Sequence, residues 1–240
     1  MRNNKSHLGA VLKVAAVSVG IFLLGCIVFL SCCTRYNAKE TVCRAYIYQL
    51  GFYLDHHYRI NNTYPRFYND EGKNIWSWRA VFLLHGDFSR FSSDIRFNEP
   101  WNSPHNLPIV KSLDEKVEQS FACPFLYPKD NRAAFVAVTG EGTAWNEISN
   151  GNLTPEECKE MIVLIETQTP KNHWAEPGDD MTPEEVIKMY TDYKAARKNF
   201  LPPSRHPAKR FLTVGCKSET FDDINDVEDL KKRLVVESSK

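Results

Sequence analysis

The chain carries no net charge: 30 lysines and arginines balance 30 aspartates and glutamates. No long-range field therefore draws it to nucleic acid or to an acidic surface. It has no Gly-x-Ser-x-Gly, no His-Glu-x-x-His and no phosphate-binding Gly-x4-Gly-Lys-Ser/Thr, so the familiar serine-hydrolase, zinc-protease and nucleotide-binding signatures are missing. None of its seven cysteines forms a Cys-x-x-Cys pair, which argues against a structural zinc. It has no internal repeat. The last absence is local. From Val14 to Cys33, VAAVSVGIFLLGCIVFLSCC, there is no charged residue at all.

Twenty helical positions at about 1.5 Å each span about 30 Å, the hydrocarbon thickness of a bilayer. The run has features of a cleaved signal: Arg2, Lys5 and Lys13 precede it, and Leu23-Leu24-Gly25-Cys26 loosely matches a lipoprotein cleavage site. Its apolar character continues through Ile27–Leu30, longer than the usual apolar region of about 7–15 residues. The reading is a retained anchor: a cytoplasmic tail over 1–13, a transmembrane helix over 14–33 and an extracytoplasmic domain over 34–240. A short N-terminal tail tends to stay inside, so the expected location is the inner (cytoplasmic) membrane of a bacterium, single-pass, with the C-terminal domain outside. Membrane lipid is then one partner, through the N-terminal helix.

Beyond the run the chain is rich in aromatics, with 14 Phe, 10 Tyr and 5 Trp in all, the composition of a packed domain. Ala38–Ile60 repeats apolar residues at steps of three and four (Val42, Tyr46, Leu50, Tyr53, His57) and reads as an amphipathic helix continuing from the anchor, stopped by Asn61-Asn62-Thr63-Tyr64-Pro65. Trp76–Leu84 reads as a short buried helix or a strand. Ala133–Val138, Met161–Ile165 and Phe211–Val214 read as strands. Thr154-Pro155-Glu156-Glu157 and Thr182-Pro183-Glu184-Glu185 carry helix-start chemistry, the second opening a helix to about Lys198, and Asp226–Val236 closes the chain as a helix. The fold class is α+β.

The titratable residues give few sites. His56 and His57 are adjacent and point about 100° apart on a helix, too divergent to chelate one metal by themselves. His173, Glu176, Asp179 and Asp180 are the best metal-like group, of the oxygen-rich kind that suits calcium; a solvated acidic loop is the simpler reading, and no cofactor is assigned. Gly140-Glu141-Gly142-Thr143 reads as a turn, and Arg205, His206, Lys209 and Arg210 as a solvated strand edge. Trp101 and Trp174 read as core anchors in loops. Cys26, Cys32 and Cys33 are apolar fillers of the anchor. Cys43, Cys123, Cys158 and Cys216 remain, enough for two disulfides in three possible connectivities.

Several blocks in order resemble a known family. Cys43-Arg44-x4-Gln49-Leu50-Gly51-x2-Leu54-x3-Tyr58 with Tyr64-Pro65, Ser77-Trp78-Arg79, Glu99-Pro100-Trp101-Asn102-Ser103-Pro104, Phe121-x-Cys123-Pro124, Val136-x-Val138-x-Gly140-x-Gly142-Thr143, Ile162–Glu166 and Trp174-x-Glu176-Pro177-x-Asp179 are similar to a large bacterial pilin-like family. It is known only as a domain of unknown function, is abundant in planctomycete-type bacteria, and has a type II secretion pseudopilin-like fold. The resemblance implies a long N-terminal helix packed on a small antiparallel sheet, with helical insertions. It implies a non-enzymatic envelope protein with an interaction or assembly role and an envelope protein as partner, with no catalytic residues. Alternatives are a calcium- or ligand-binding module on the same fold, or an anchored hydrolase of unrecognised type. The resemblance also implies a Cys43–Cys123 disulfide, since both cysteines fall on family positions and the outward topology is oxidising; Cys158 and Cys216, which flank predicted strands, are candidates for a second bridge, and the alternative is that all four are buried free thiols. Two departures stand out. Gly9–Val14 lacks the glutamate that neutralises a neighbouring subunit in pilus filaments, so a loosely associated anchor is expected, not a pilus subunit. Cys216-Lys217-Ser218 replaces the family's Asp-Gly-Ser hairpin, so no tight Asp-Gly turn is available there.

Overall fold

The structure is a computed structural model that describes residues 3–67, 72–85, 89–121, 133–167, 172–178, 180–198 and 209–236. Its contacts divide the chain into two units, Met1–Val42 and Cys43–Lys240. The first helix, α1 (Asn3–Asn61), contributes to both.

In the first unit, the large apolar side chains from Val19 to Leu30 stand exposed: Phe22 is 71% and Phe29 68% accessible. A soluble protein rarely leaves such a run uncovered. The helix from Val19 onward is long and apolar enough to cross a membrane.

In the second unit, the C-terminal part of α1 is amphipathic; Leu50, Tyr53 and His57 are buried as the spacing predicts, but at the start of the stripe Val42 is exposed and Tyr46 half-buried, their places taken by the next residues, Cys43 and Ile47. Cys43, Ile47, Leu50 and Leu54 are buried on one side. The helix ends where Asn62 adopts a left-handed φ of 55° and its N–H caps Tyr58 O at 2.7 Å, an end that Asn tolerates better than most residues. Trp78–Ala80 form a 3-10 turn running into a four-residue helix, α2 (Val81–Leu84), which settles the ambiguous Trp76–Leu84 stretch as helical.

The sheet has four antiparallel strands in sequence order: β1 (Phe135–Ala137), β2 (Ile162–Glu166), β3 (Arg210–Thr213) and β4 (Ser218–Thr220). An irregularity in the β2–β3 register between Ile162 and Leu164 breaks the simple alternation, as a bulge does. Ile162 and Ile165 both join the cluster formed with Val136, Phe211 and Phe221. That face is covered by α5 (Pro183–Lys198), through Val186 and Tyr190, and by α6 (Val227–Leu234), through Leu230 and Leu234. Elsewhere α1 lies close to β3: a Cβ added to Gly51 would lie 2.5 Å from Leu212 Cδ2. Glycine is what permits this approach.

Helix α5 starts at the Thr182-Pro183-Glu184-Glu185 box, with Thr182 N–H donating to Glu185 Oε2 at 2.8 Å and Glu185 N–H to Thr182 Oγ1 at 3.4 Å. Asp226 caps α6, its Oδ1 accepting from Asp229 N–H at 2.9 Å, while Asp229 Oδ2 accepts from Asn225 N–H at 3.1 Å. At Thr154 the reciprocal contact to Glu157 also forms, at 2.8 Å, but it opens only a turn. The β3–β4 hairpin is closed without Asp-Gly. A three-residue loop, Val214-Gly215-Cys216, returns the chain, with Cys216 at φ 59° and its N–H on Thr213 O at 3.0 Å. This is the left-handed third position that such loops need. Helices α3 (Asn106–Phe121) and α4 (Ala144–Ser149) complete the unit. An α+β architecture with a long N-terminal helix and a small antiparallel sheet is what the sequence predicts.

Candidate binding cleft

A cleft of about 500 Å³ opens beside β1 in the second unit. Its base is aromatic. Trp76, Trp78 and Trp145 all line it and are almost entirely buried. Each is fixed by its neighbours. Trp76 Nε1–H donates to Glu99 O at 2.8 Å. Trp78 meets Trp145 edge-on at 5.6 Å, and Trp145 meets Tyr64 at 5.1 Å. The Trp78 indole N–H is buried and finds no acceptor among the described residues, uncommon for such a donor.

The walls are polar. Arg66 and Asn74 come from the segment after α1, where Ile75 N–H donates to Phe67 O at 2.9 Å. Asn146 and Asn150 come from the start and the C-cap of α4. That helix is set by Thr143, whose Oγ1 accepts from Asn146 N–H at 3.4 Å and donates to Gly140 O at 2.8 Å. Asn150 Oδ1 accepts from Arg66 Nη1 at 3.2 Å, linking the two walls. Thr139 and Asp180 close the third side. The Asp180 loop is pinned to β1 by Met181 N–H on Ala137 O and Thr139 N–H on Met181 O, both 2.9 Å. The volume and convergent polar groups fit a small-molecule site.

Among the described residues, the acidic loop does not gather into one centre. Glu176 Oε2 accepts from the backbone N–H of His173 at 3.4 Å. Asp180 lines the cleft. Asp179 lies outside the described residues. Among the described residues, no group of three or more His, Cys, Asp or Glu is arranged to hold a metal.

His173 belongs to a structural network. Its Nε2 lies 2.9 Å from Asp114 Oδ1, the same oxygen that accepts from Trp174 Nε1–H at 2.9 Å. Ala175 N–H donates to His173 Nδ1 at 3.2 Å, so the network assigns the Nε2–H tautomer. Trp101 stacks on His173 at 4.9 Å and Trp174 is wholly buried. Trp174 is the core anchor expected of it; Trp101 is only half-buried and packs on His173 at the edge of the core.

His57 pairs with His85, not with His56: Nδ1 and Nε2 are 3.1 Å apart. His56 packs edge-on to His85 at 4.8 Å. Burial, then the neighbouring His85 and His56, push the His57 imidazole down to about 4, and burial with His56 lowers His85. Nothing near His57 in sequence reveals His85.

Cys43 is buried, its sulfur 3.6 Å from Glu166 Oε1. Cys123, and with it the expected Cys43–Cys123 bridge, lies outside the described residues. Cys158 and Cys216 are separate thiols; Cys158 donates to Thr154 O at 3.3 Å. Glu166, Arg79, Lys209 and Arg210 are buried. Arg79 Nε–H donates to Phe135 O at 3.0 Å, and burial lowers the Lys209 ammonium to about 8 against the opposing pull of Glu166. The basic run is therefore no solvated edge at Lys209 and Arg210; Arg205 and His206 lie outside the described residues.

Compared with known proteins, the chain matches no family model, no curated protein and no solved structure.

Proposed function

We propose that this is a single-pass, membrane-anchored envelope protein of pilin-like, pseudopilin-like type, whose head lies outside the cytoplasm and acts by binding and not by catalysis. The observation that carries the reading is the uncovered apolar face of α1. From Val19 to Leu30 the large apolar side chains are 55–71% exposed, and a bilayer is the solvent that suits them. At about 25 cal/mol per Å² of apolar surface, such a stretch in water is a large liability, and a lipid environment removes it. A binding role is supported by the cleft, which collects polar groups from four segments over a tryptophan base. The residues best suited to chemistry hold structure instead: Asp114, His173 and Glu176 tie loops together.

The test is membrane retention. After carbonate washing of membranes, the protein is expected in the pellet with the intact mass of the full 27.6 kDa chain. A soluble form cut near Cys26 or Cys33 would show a removed signal and defeat the anchor.

A further inference from the structure

We propose that the cleft is a carbohydrate site, taking a neutral sugar of one to three residues; the proposal rests on reading the head as a binding domain. The side chains that form its walls are Arg66, Asn74, Thr139, Asn146, Asn150 and Asp180. Three are amides, each offering donors and an acceptor on one planar group. That pairing suits a ligand whose neighbouring atoms both donate and accept, as vicinal hydroxyls do. The single guanidinium and the single carboxylate of this wall cancel, so the wall selects neither anions nor cations. A phosphorylated ligand would meet one arginine and face Asp180. Phe67, half-buried, is the lining side chain that leaves apolar surface for a sugar ring's C–H face, whereas Trp76, Trp78 and Trp145 are almost wholly covered. The volume of about 500 Å³ lies in the range of small-molecule sites.

The walls are also prearranged. The Arg66–Asn150 bond and the Thr143 cap hold two of them before any ligand enters, which lowers the ordering cost of binding.

The experiment uses the full chain in a non-glycosidic detergent, because alkyl glucosides and maltosides would compete. A printed array of neutral and acidic glycans identifies the best binder. Tryptophan fluorescence then follows a titration with that free sugar. Neutral glycans are expected to bind saturably, with a change in tryptophan emission. Asn74→Ala and Asn150→Ala change exposed residues, and each should weaken binding on the order of tenfold, the loss of about one hydrogen bond to a ligand, with circular dichroism unchanged. The proposal is overturned by an array with no saturable neutral binder, by a preference for anionic glycans, or by affinity that both variants leave intact. Those failures leave membrane retention untouched, whereas a soluble, cleaved form defeats the anchored reading without bearing on the sugar.

Discussion

Replacing Asp114 by alanine removes one oxygen on which two donors converge. Trp174 Nε1–H and His173 Nε2–H each lie 2.9 Å from Asp114 Oδ1. Trp174 is fully buried, whereas the His173 side chain keeps 18% of its surface accessible. Water therefore replaces the acceptor for His173 at modest cost and cannot do so for Trp174. An orphaned buried donor costs about 1–3 kcal/mol, and a lost bond at a wetter site about 0.5–1.5 kcal/mol. The sum is about 1.5–4.5 kcal/mol. In a chain of this size each kcal/mol lowers Tm by about 2–4 °C, so Asp114→Ala is expected to melt roughly 3–18 °C below the parent. Asp114→Asn keeps a carbonyl oxygen for Trp174 and should lose about half as much. Thermal unfolding of the full chain in detergent, read by tryptophan fluorescence, suits the test because Trp101 and Trp174 both border the site. An Asp114→Ala protein within about 0.5 kcal/mol of the parent, or an asparagine variant as damaged as the alanine one, would refute the convergence argument.

Leu50→Ala, at a wholly buried position of α1, should cost about 2–5 kcal/mol in denaturant unfolding. At Gly142, φ is 72° and an added Cβ would lie 2.7 Å from Val235 Cγ1, so Gly142→Ala should destabilise by about 1–3 kcal/mol and release α6 first in hydrogen exchange. The His57–His85 pair gives a pH dependence. Because the folded state lowers the His57 pKa from its ordinary 6.5 to about 4, the unfolded chain binds more protons between those values. Stability is then full above about pH 6.5 and falls as pH drops toward 4. His57→Gln should flatten the melting temperature over that window, with His56, His85 and Asn61 unchanged around it. A wild-type Tm that stays level from pH 7 to 4.5 would contradict the pairing.

The elements that the sequence announces are those with strong local signals. Thr182–Glu185 and Asp226 are caps whose side chains bond as their spacing requires, and α1 carries its apolar stripe openly. Strand β4 gives no such signal because Ser218–Thr220 is short and half-buried, with no apolar alternation to read. Helix α3 is hidden by Pro108, which sits in its first turn and is tolerated there. The β3–β4 turn is illegible because a left-handed position held by a residue other than glycine, such as Cys216, leaves no mark in composition. The cleft is the least legible part. Of its wall residues only Asp180 stands out, as a metal candidate; Arg66, Asn74, Asn146 and Asn150 carry no motif and meet only in three dimensions. The same holds for His85, which lies 28 positions from its partner His57.

On the proposed reading, a retained helix displays the head outside the cytoplasm. Protease added to intact spheroplasts tests it in one measurement. The head is expected to be digested without permeabilisation, leaving a membrane-embedded N-terminal fragment that contains Val14–Cys33. Full protection of the head until the membrane is broken would contradict it.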